Sequence, residues 1–368
     1  MPRKNNDRRG QDSSPAPRER GNRSRKRAVG EGLTRDSSHS PSADSPGSSP
    51  GSPPSPATEL PGREREEAAT RCGFVALIGA PNAGKSTLLN QLVGRKLAIV
   101  TPKVQTTRTR LLGIAIEGPA QLIFVDTPGI FAPRRRLDRA MVAAAWAGAA
   151  DADATVLLVD AARAAQRGID HDTKGIVDRL AAGKRRAILA LNKVDLVRRD
   201  TLLGLADELF RSGVFEHVFM VSALTGDGVQ DLKRHLAMTV PSGPWLFPAD
   251  QLSDAPERWL AAEVTREQVF LQLHDEVPYA ATVETESWQE RPDGSARIEQ
   301  VIYVQRTSQR AIVLGEGGRR IKAIGAKARA ELEQMLDRRI HLFLFVKVRE
   351  NWVEDPERYA ALGLDYNA

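Results

Sequence analysis

An α/β fold with a mostly parallel sheet covered by helices on both faces, followed by a smaller α+β module, is what this 368-residue sequence predicts. Three observations lead there. Short apolar runs alternate with helix-period stretches from Cys72 to residue 240, the pattern of a parallel sheet. The first run ends in Gly79-Ala-Pro-Asn-Ala-Gly84-Lys85-Ser86, a glycine loop leading straight into a helix-like stretch. Pro241-Ser-Gly-Pro-Trp-Leu-Phe-Pro248 then breaks the alternation, and the elements beyond it come in a different order.

Residues 1–70 are Ser-, Pro-, Gly- and Arg-rich with almost no aliphatic periodicity, so a disordered basic tail is expected. A transit peptide is the lesser reading, because the stretch contains acids and lacks an amphipathic apolar stripe. Residues 71–240 hold the α/β domain. Its strands are expected at 74–78, 111–116, 122–125, 155–159, 187–191 and 218–221, its later helices at 137–149, 169–182, 202–210 and 229–238. Residues 241–256 read as a linker. Residues 257–368 run helix, two strands, Gly-rich turn, helix, strand, with 310–314 strand-like before the turn and a helix over 319–336 after it. There is no internal repeat.

Apolar residues make up 41% of the chain, enough for ordinary cores. No apolar run is long enough to span a bilayer, so a soluble protein is expected. Cys72 is the single cysteine, which rules out an internal disulfide or a cysteine-based zinc site and fits a reducing compartment. The net charge is +6, yet residues 1–30 alone carry ten Lys/Arg against three acids; the rest therefore holds about one more acid than base. A case for RNA binding by the folded part must rest on local patches.

The glycine loop matches G-x-x-x-x-G-K-[ST] in its proper context, strand before and helix after, as in P-loop NTPases. Backbone N–H groups of such a loop wrap phosphates at the positive end of a helix dipole. Lys85 supplies a point charge to the outer phosphates, and Ser86 offers its hydroxyl to Mg²⁺. Asp126-Thr-Pro-Gly129 follows the third run, placing one carboxylate for Mg²⁺ and the Gly129 amide for the γ-phosphate. Asn192-Lys193-Val194-Asp195 ends the strand at 187–191, where a base-reading loop belongs. Asp195 can accept from both N–H groups of a guanine edge, and adenine lacks that pair. Two hydrogen bonds to a charged acceptor contribute about 1.5–3 kcal/mol each, which favours GTP over ATP by orders of magnitude. Lys193 would pack along the base, and Asn192 would tie this loop to the phosphate loop. Ser222-Ala223-Leu224 offers backbone donors to the guanine oxygen. The nucleotide contacts are thus expected from Gly79, Ala80, Pro81, Asn82, Ala83, Gly84, Lys85, Ser86, Thr87, Asp126, Thr127, Pro128, Gly129, Ile130, Asn192, Lys193, Val194, Asp195, Ser222, Ala223 and Leu224.

Gly315-Glu316-Gly317-Gly318 matches the G-x-x-G loop of KH domains, which clamps four single-stranded nucleotides. Residues 306–329 carry Arg306, Arg310, Arg319, Arg320, Lys322, Lys327 and Arg329 against Glu316 alone, a local basic patch that the overall charge conceals. Gly315, Gly318, Arg319, Arg320 and Lys322 are the expected RNA contacts.

These motifs, together with Gln105-Thr106-Thr107-Arg108, Pro248-Ala-Asp-Gln251 and Glu276-Val-Pro-Tyr279, resemble the Era family of GTPases from about Cys72 to Tyr366. The resemblance implies a P-loop GTPase domain followed by a type II KH domain. It implies a GTP-hydrolysing monomer that binds Mg²⁺ and the 3′ end of small-subunit rRNA, acts in 30S-type subunit assembly, and is cytoplasmic with loose membrane contact. Gln105–Arg108 is similar to the first switch of translation-factor-like GTPases. There Thr107 closes over the nucleotide and joins Ser86 and Asp126 around Mg²⁺, with Thr106 as competitor. Asn82 resembles the asparagine that holds K⁺ against the phosphates in related GTPases; its other reading is a loop-shaping residue. Lys85, Asn82, Thr107 and Gly129 are then the residues expected to act in hydrolysis. Two departures stand out. Ile130 occupies the place where Ras-like enzymes carry a water-orienting Gln, so hydrolysis should be slow or assisted. Glu316 sits where the family usually has a basic residue, which moves phosphate contact onto Arg319 and Arg320. Two rivals lack their signatures: a tandem GTPase needs a second motif set, and a tRNA-modifying GTPase needs a C-terminal cysteine. A scaffold with a dead nucleotide fold is opposed by the presence of Lys85, Ser86, Asp126 and Asp195 together.

Overall fold

Strand β1 (Arg71–Gly79) alternates its side chains between two cores, and this sets the layering of the first module. Val75 and Leu77 face helices α1 (Lys85–Val93) and α6 (Val229–Thr239). Ala76 and Ile78 face α2 (Arg136–Ala150), α4 (His171–Ala182) and α5 (Arg199–Phe210). All four are fully buried, as in a strand covered on both sides. The computed structural model describes residues 69–350 and 355–368; the tail expected over residues 1–70 lies, but for its last two residues, outside them.

The remaining strands are β2 (Leu111–Glu117), β3 (Ala120–Asp126), β4 (Ala154–Asp160), β5 (Ala187–Asn192) and β6 (Phe215–Val221), in the order β2-β3-β1-β4-β5-β6. Only β2 runs antiparallel, joined to β3 by a two-residue turn at Gly118. Parallel strands bring the carboxyl ends of β1, β3, β4, β5 and β6 to one edge, so the glycine loop, Asp126, Asn192 and Ser222 emerge side by side. One helix escaped the periodicity: α3 (Ala161–Arg167) is short and Ala-rich, and Asp160 caps it by accepting from the Arg163 N–H at 3.0 Å.

The second module starts with α7 (Glu257–Gln272), then β7 (Thr282–Glu290), β8 (Ala296–Val304), α8 (Thr307–Leu314), α9 (Arg319–Leu336) and β9 (Ile340–Val348). The sheet order is β7-β8-β9, antiparallel then parallel, with α7 and α9 packed on one face through Val269, Ile324, Ile302 and Leu332, Ile298, Ile340. The strand expected at 310–314 is a helix instead. Gln309 Oε1 accepts from the Gln305 and Arg306 N–H groups at 2.9 and 3.1 Å, and this start signal outweighs the short β-branched run. The chain then returns to the first module, where α10 (Pro356–Ala361) and its continuation lay Tyr359 and Leu364 on Leu137 and Met141 of α2.

Residues 241–256 contain no helix or strand element, yet they are tightly held. Ser242 and Ser253 form isolated bridges to Arg71 and Gly113. The fully buried Gln121 accepts from Leu246 and Phe247 N–H at 2.9 and 3.0 Å and donates to the Phe247 carbonyl at 2.8 Å. Among the described residues no helix is long and apolar enough to cross a membrane. Gln121→Ala should strip these backbone groups of their partner and destabilise the protein by about 2–3 kcal/mol; urea denaturation followed by tryptophan fluorescence, with Trp245 packed beside the affected segment, checks this.

Candidate nucleotide site and RNA loop

The glycine loop is shaped by its neighbours as much as by its own backbone. Gly84 has φ +100°, and a Cβ there would collide with the Asn192 Nδ2. Asn192, buried at the end of β5, donates from Nδ2 to the Ala83 carbonyl at 2.8 Å and accepts at Oδ1 from the Ala223 N–H at 2.9 Å. One amide thus joins phosphate loop, base-reading loop and the loop after β6. The sequence anticipated the first tie and missed the second.

Lys85 is buried and donates from Nζ to the Gly79 and Ala80 carbonyls at 3.0 and 3.1 Å. Burial pulls its ammonium down to about 8, opposed by the charge of Asp126. Asp126 is itself fully buried. Desolvation pushes its carboxyl above the usual range, while Lys85 and donors from Ser86, Thr107 and the Thr127 backbone oppose the rise. Its Oδ2 accepts from Ser86 Oγ at 2.8 Å and Thr107 Oγ1 at 3.3 Å, and the two hydroxyls lie 2.8 Å apart. Its Oδ1 has no hydrogen-bond partner among the described residues. Two hydroxyls and one carboxylate, whose second oxygen is buried without a partner, fit a small hard dication. Thr106, the competitor, turns away: its hydroxyl lies 2.6 Å from that of Thr101 and donates to the Lys103 carbonyl at 2.8 Å.

A cavity of about 330 Å³ opens above these groups. Pro81, Asn82, Gly84, Ser86, Thr87, Thr107 and Gly129 border its phosphate end, Lys193, Asp195, Ser222, Ala223 and Leu224 its far end. Asp195 sits in a one-turn 3₁₀ helix (Val194–Leu196) after Lys193, whose φ is +66°; the exposed carboxylate makes no hydrogen bond among the described residues. Leu224 is 80% exposed and Leu196 69%, a pair of apolar side chains held in solvent at the rim where a planar base would rest. Lys193 pairs with Asp160 at 2.5 Å, an ion pair the motif did not announce.

Several predicted residues do not border the cavity. Gly79, Ala80, Ala83, Asp126, Thr127, Pro128, Ile130 and Val194 are absent from its wall. Thr127 donates to the Leu77 carbonyl at 2.8 Å, facing inward. Ile130 packs with Ala76 and Ile78, the apolar alternative to a water-orienting side chain. Asn82, at φ +64°, donates to the Pro102 carbonyl at 3.0 Å and so fastens the segment before Gln105–Arg108 to the phosphate loop.

In the second module all three glycines of Gly315-Glu316-Gly317-Gly318 have positive φ, +69°, +59° and +75°, and a Cβ on Gly315 would lie 2.7 Å from that of Arg320. The loop is therefore a glycine-dependent corner between α8 and α9. Arg319 is exposed and pairs at the surface with Glu316. Arg320 donates to the Ile312 carbonyl at 3.1 Å, and Lys322 is exposed one turn on.

Residues 74–193 match the family described as 50S ribosome-binding GTPase, and residues 276–353 match the KH domain family. GTPase Era of Brucella suis biovar 1 is 57% identical over 305 residues, 83% of this chain and 97% of its own length. GTPase Era of Rhizobium meliloti is 59% identical over 297 residues, 81% of this chain and 94% of its own. Two Era crystal structures superpose with a TM-score of 0.74 at 35% identity, covering 80% of this chain and 99% of theirs. One is Aquifex aeolicus Era bound to GDP and aluminium fluoride; the other is Era in complex with MgGDPNP and nucleotides 1506–1542 of 16S ribosomal RNA. With relatives this similar over nearly their whole length, the chain belongs to the Era family of GTPases.

Proposed function

We propose that this chain binds GTP, hydrolyses it to GDP and phosphate, and in the course of that cycle clamps the single-stranded 3′ end of small-subunit rRNA during subunit assembly. One observation carries the nucleotide half: Ser86, Thr107 and Asp126 converge below one end of a cavity whose other end exposes the Asp195 carboxylate. Ser86, Thr107 and Asp126 would hold Mg²⁺, which when bound neutralises charge across the β- and γ-phosphates. Lys85 would add its charge there, and the Gly129 amide would meet the γ-phosphate. Asp195 reads the guanine edge, with Lys193, steadied by Asp160, along the base. No side chain at position 130 orients water, so slow intrinsic turnover follows. Asn82 would hold K⁺ through its Oδ1, which makes no hydrogen bond among the described residues, while its Nδ2 holds the Pro102 carbonyl. The RNA half is supported by the glycine corner at Gly315–Gly318, by the exposed Arg319, Arg320 and Lys322, and by the rRNA-bound relative. GTP turnover in K⁺ and in Na⁺, with and without an oligonucleotide of the rRNA 3′ end, tests both halves at once.

Asp195→Asn should transfer preference from GTP to XTP, because the amide donates to the 2-carbonyl of xanthine; competition binding reads this, and tight GTP binding by the variant would remove Asp195 from the base site. Asn82→Ala should abolish stimulation by K⁺ with GTP affinity nearly unchanged, since the ion acts on charge that develops in the transition state. Equal wild-type turnover in Na⁺ and K⁺ contradicts that role. Reversing Arg319 and Arg320 to Glu should weaken single-stranded RNA binding and reduce the salt slope by about 0.7 for each phosphate no longer neutralised. Glu316→Lys should tighten it by releasing Arg319. Filter binding across a salt series measures both, and an unchanged slope in the double reversal would move the RNA site away from this loop.

A further inference from the structure

Residues 100–108, which end in the switch-like Gln105–Arg108, border the nucleotide cavity on one side and are bonded to the second module at Val100, Lys103, Thr106 and Arg108. Val100 N–H donates to Glu267 Oε1 at 2.7 Å. Lys103 Nζ donates to the Phe270 and Leu273 carbonyls at the end of α7. Arg108, buried, donates to the Pro278, Tyr279 and Ala281 carbonyls at 3.2, 3.1 and 2.9 Å. Between them, Arg266 of α7 donates from Nη2 to the Thr106 carbonyl at 2.5 Å.

Arg266 is an unusual residue to find there. It is 2% exposed, its carboxylate partner is Glu263, reached from Nε at 2.7 Å, and its Nη1 has no hydrogen-bond partner among the described residues. Its guanidinium and that of Arg108 both lie over Phe270, at 5.2 and 5.5 Å from the ring centroid. Two buried cations sharing one aromatic ring and an incompletely satisfied donor are a poor way to stabilise a core, because desolvation opposes the attraction. What the arrangement does achieve is positional. The Thr106 carbonyl belongs to the peptide unit that leads into Thr107, so fixing it fixes the hydroxyl that meets Ser86 and Asp126.

We infer that Arg266, held by Glu263 and Phe270, is a positioning residue for GTP hydrolysis: from the RNA-binding module it sets the Thr106–Thr107 peptide so that the Thr107 hydroxyl stands in the Mg²⁺ and γ-phosphate site. The GTPase site is complete only when α7 is docked against it. Displacements of about 1 Å at such a group reduce turnover by roughly a hundredfold. The inference rests on the role of Thr107 proposed above, so the experiment separates the two.

In the full-length protein, Arg266→Lys and Glu263→Gln should each lower kcat about tenfold to a hundredfold. Both should weaken Mg·GDPNP binding and leave GDP affinity and the thermal unfolding midpoint close to wild type, because only the triphosphate state uses Thr107. Thr107→Ala should lose turnover and GDPNP preference in the same way. If Thr107→Ala keeps both, the role of Thr107 fails and the inference with it. If Thr107→Ala loses both while the Arg266 and Glu263 variants lose neither, the positioning role alone is overturned. Equal losses of GDP and GDPNP affinity, or a lowered unfolding midpoint in both variants, would mark the cluster as merely structural and overturn it as well.

Discussion

The side chain of Asn192 is the constraint from which the nucleotide site follows. Its two hydrogen bonds join Ala83 of the phosphate loop to Ala223 of the loop after β6, across a gap no backbone ladder closes. Gly84 has to be glycine because that amide occupies the space a Cβ would need. Once the three loops are fastened, the distance between the phosphate end and Asp195 is set by a rigid parallel sheet. A buried amide with both ends satisfied is well suited to this, since any shift of one loop leaves a buried polar group unpaired.

A second set of interactions ties the site to the RNA-binding module. Lys96 bridges Glu267 of α7, at 2.5 Å, and Glu331 of α9, and Glu267 also receives the Val100 amide. The helix that carries Glu331 begins at the Gly315–Gly318 corner. Lys96 thus joins the end of α1 to both α7 and α9 through opposite charge, beside an apolar contact in which Trp259 of α7 packs on the core under α1. The terminal segment adds one more tie, with the Arg136 guanidinium 4.3 Å from the Tyr366 ring at the start of α2.

Where sequence reading erred, the cause was local ambiguity resolved by a distant or unrecognised partner. Residues 310–314 contain a short apolar run that fits strand or helix equally. The Gln309 side chain, folded back on the Gln305 and Arg306 amides, decided for helix. The linker was legible as a break in pattern but not as a packed segment, because its anchor, Gln121, lies more than a hundred residues away. Glu316 was visible as a departure; that it would engage Arg319 depended on the turn geometry of the glycine corner.

By itself the sequence determined the strand–helix alternation, the glycine loop, the guanine-reading motif and the G-x-x-G corner. Each is short-range: period, turn residues and donor spacing lie within a few positions of one another. Tertiary structure alone decided that the Thr106 hydroxyl turns to Thr101 and the Lys103 carbonyl, that Ile130 turns into the core, and that Lys193 pairs with Asp160. It also decided that Arg266, about 160 residues beyond the first switch, closes on the Thr106 carbonyl. The physical reason is the same in each case. A hydroxyl, an ammonium or a guanidinium carries its chemistry in the sequence, but its partner is chosen by which elements the sheet and the docked helix bring within about 3 Å.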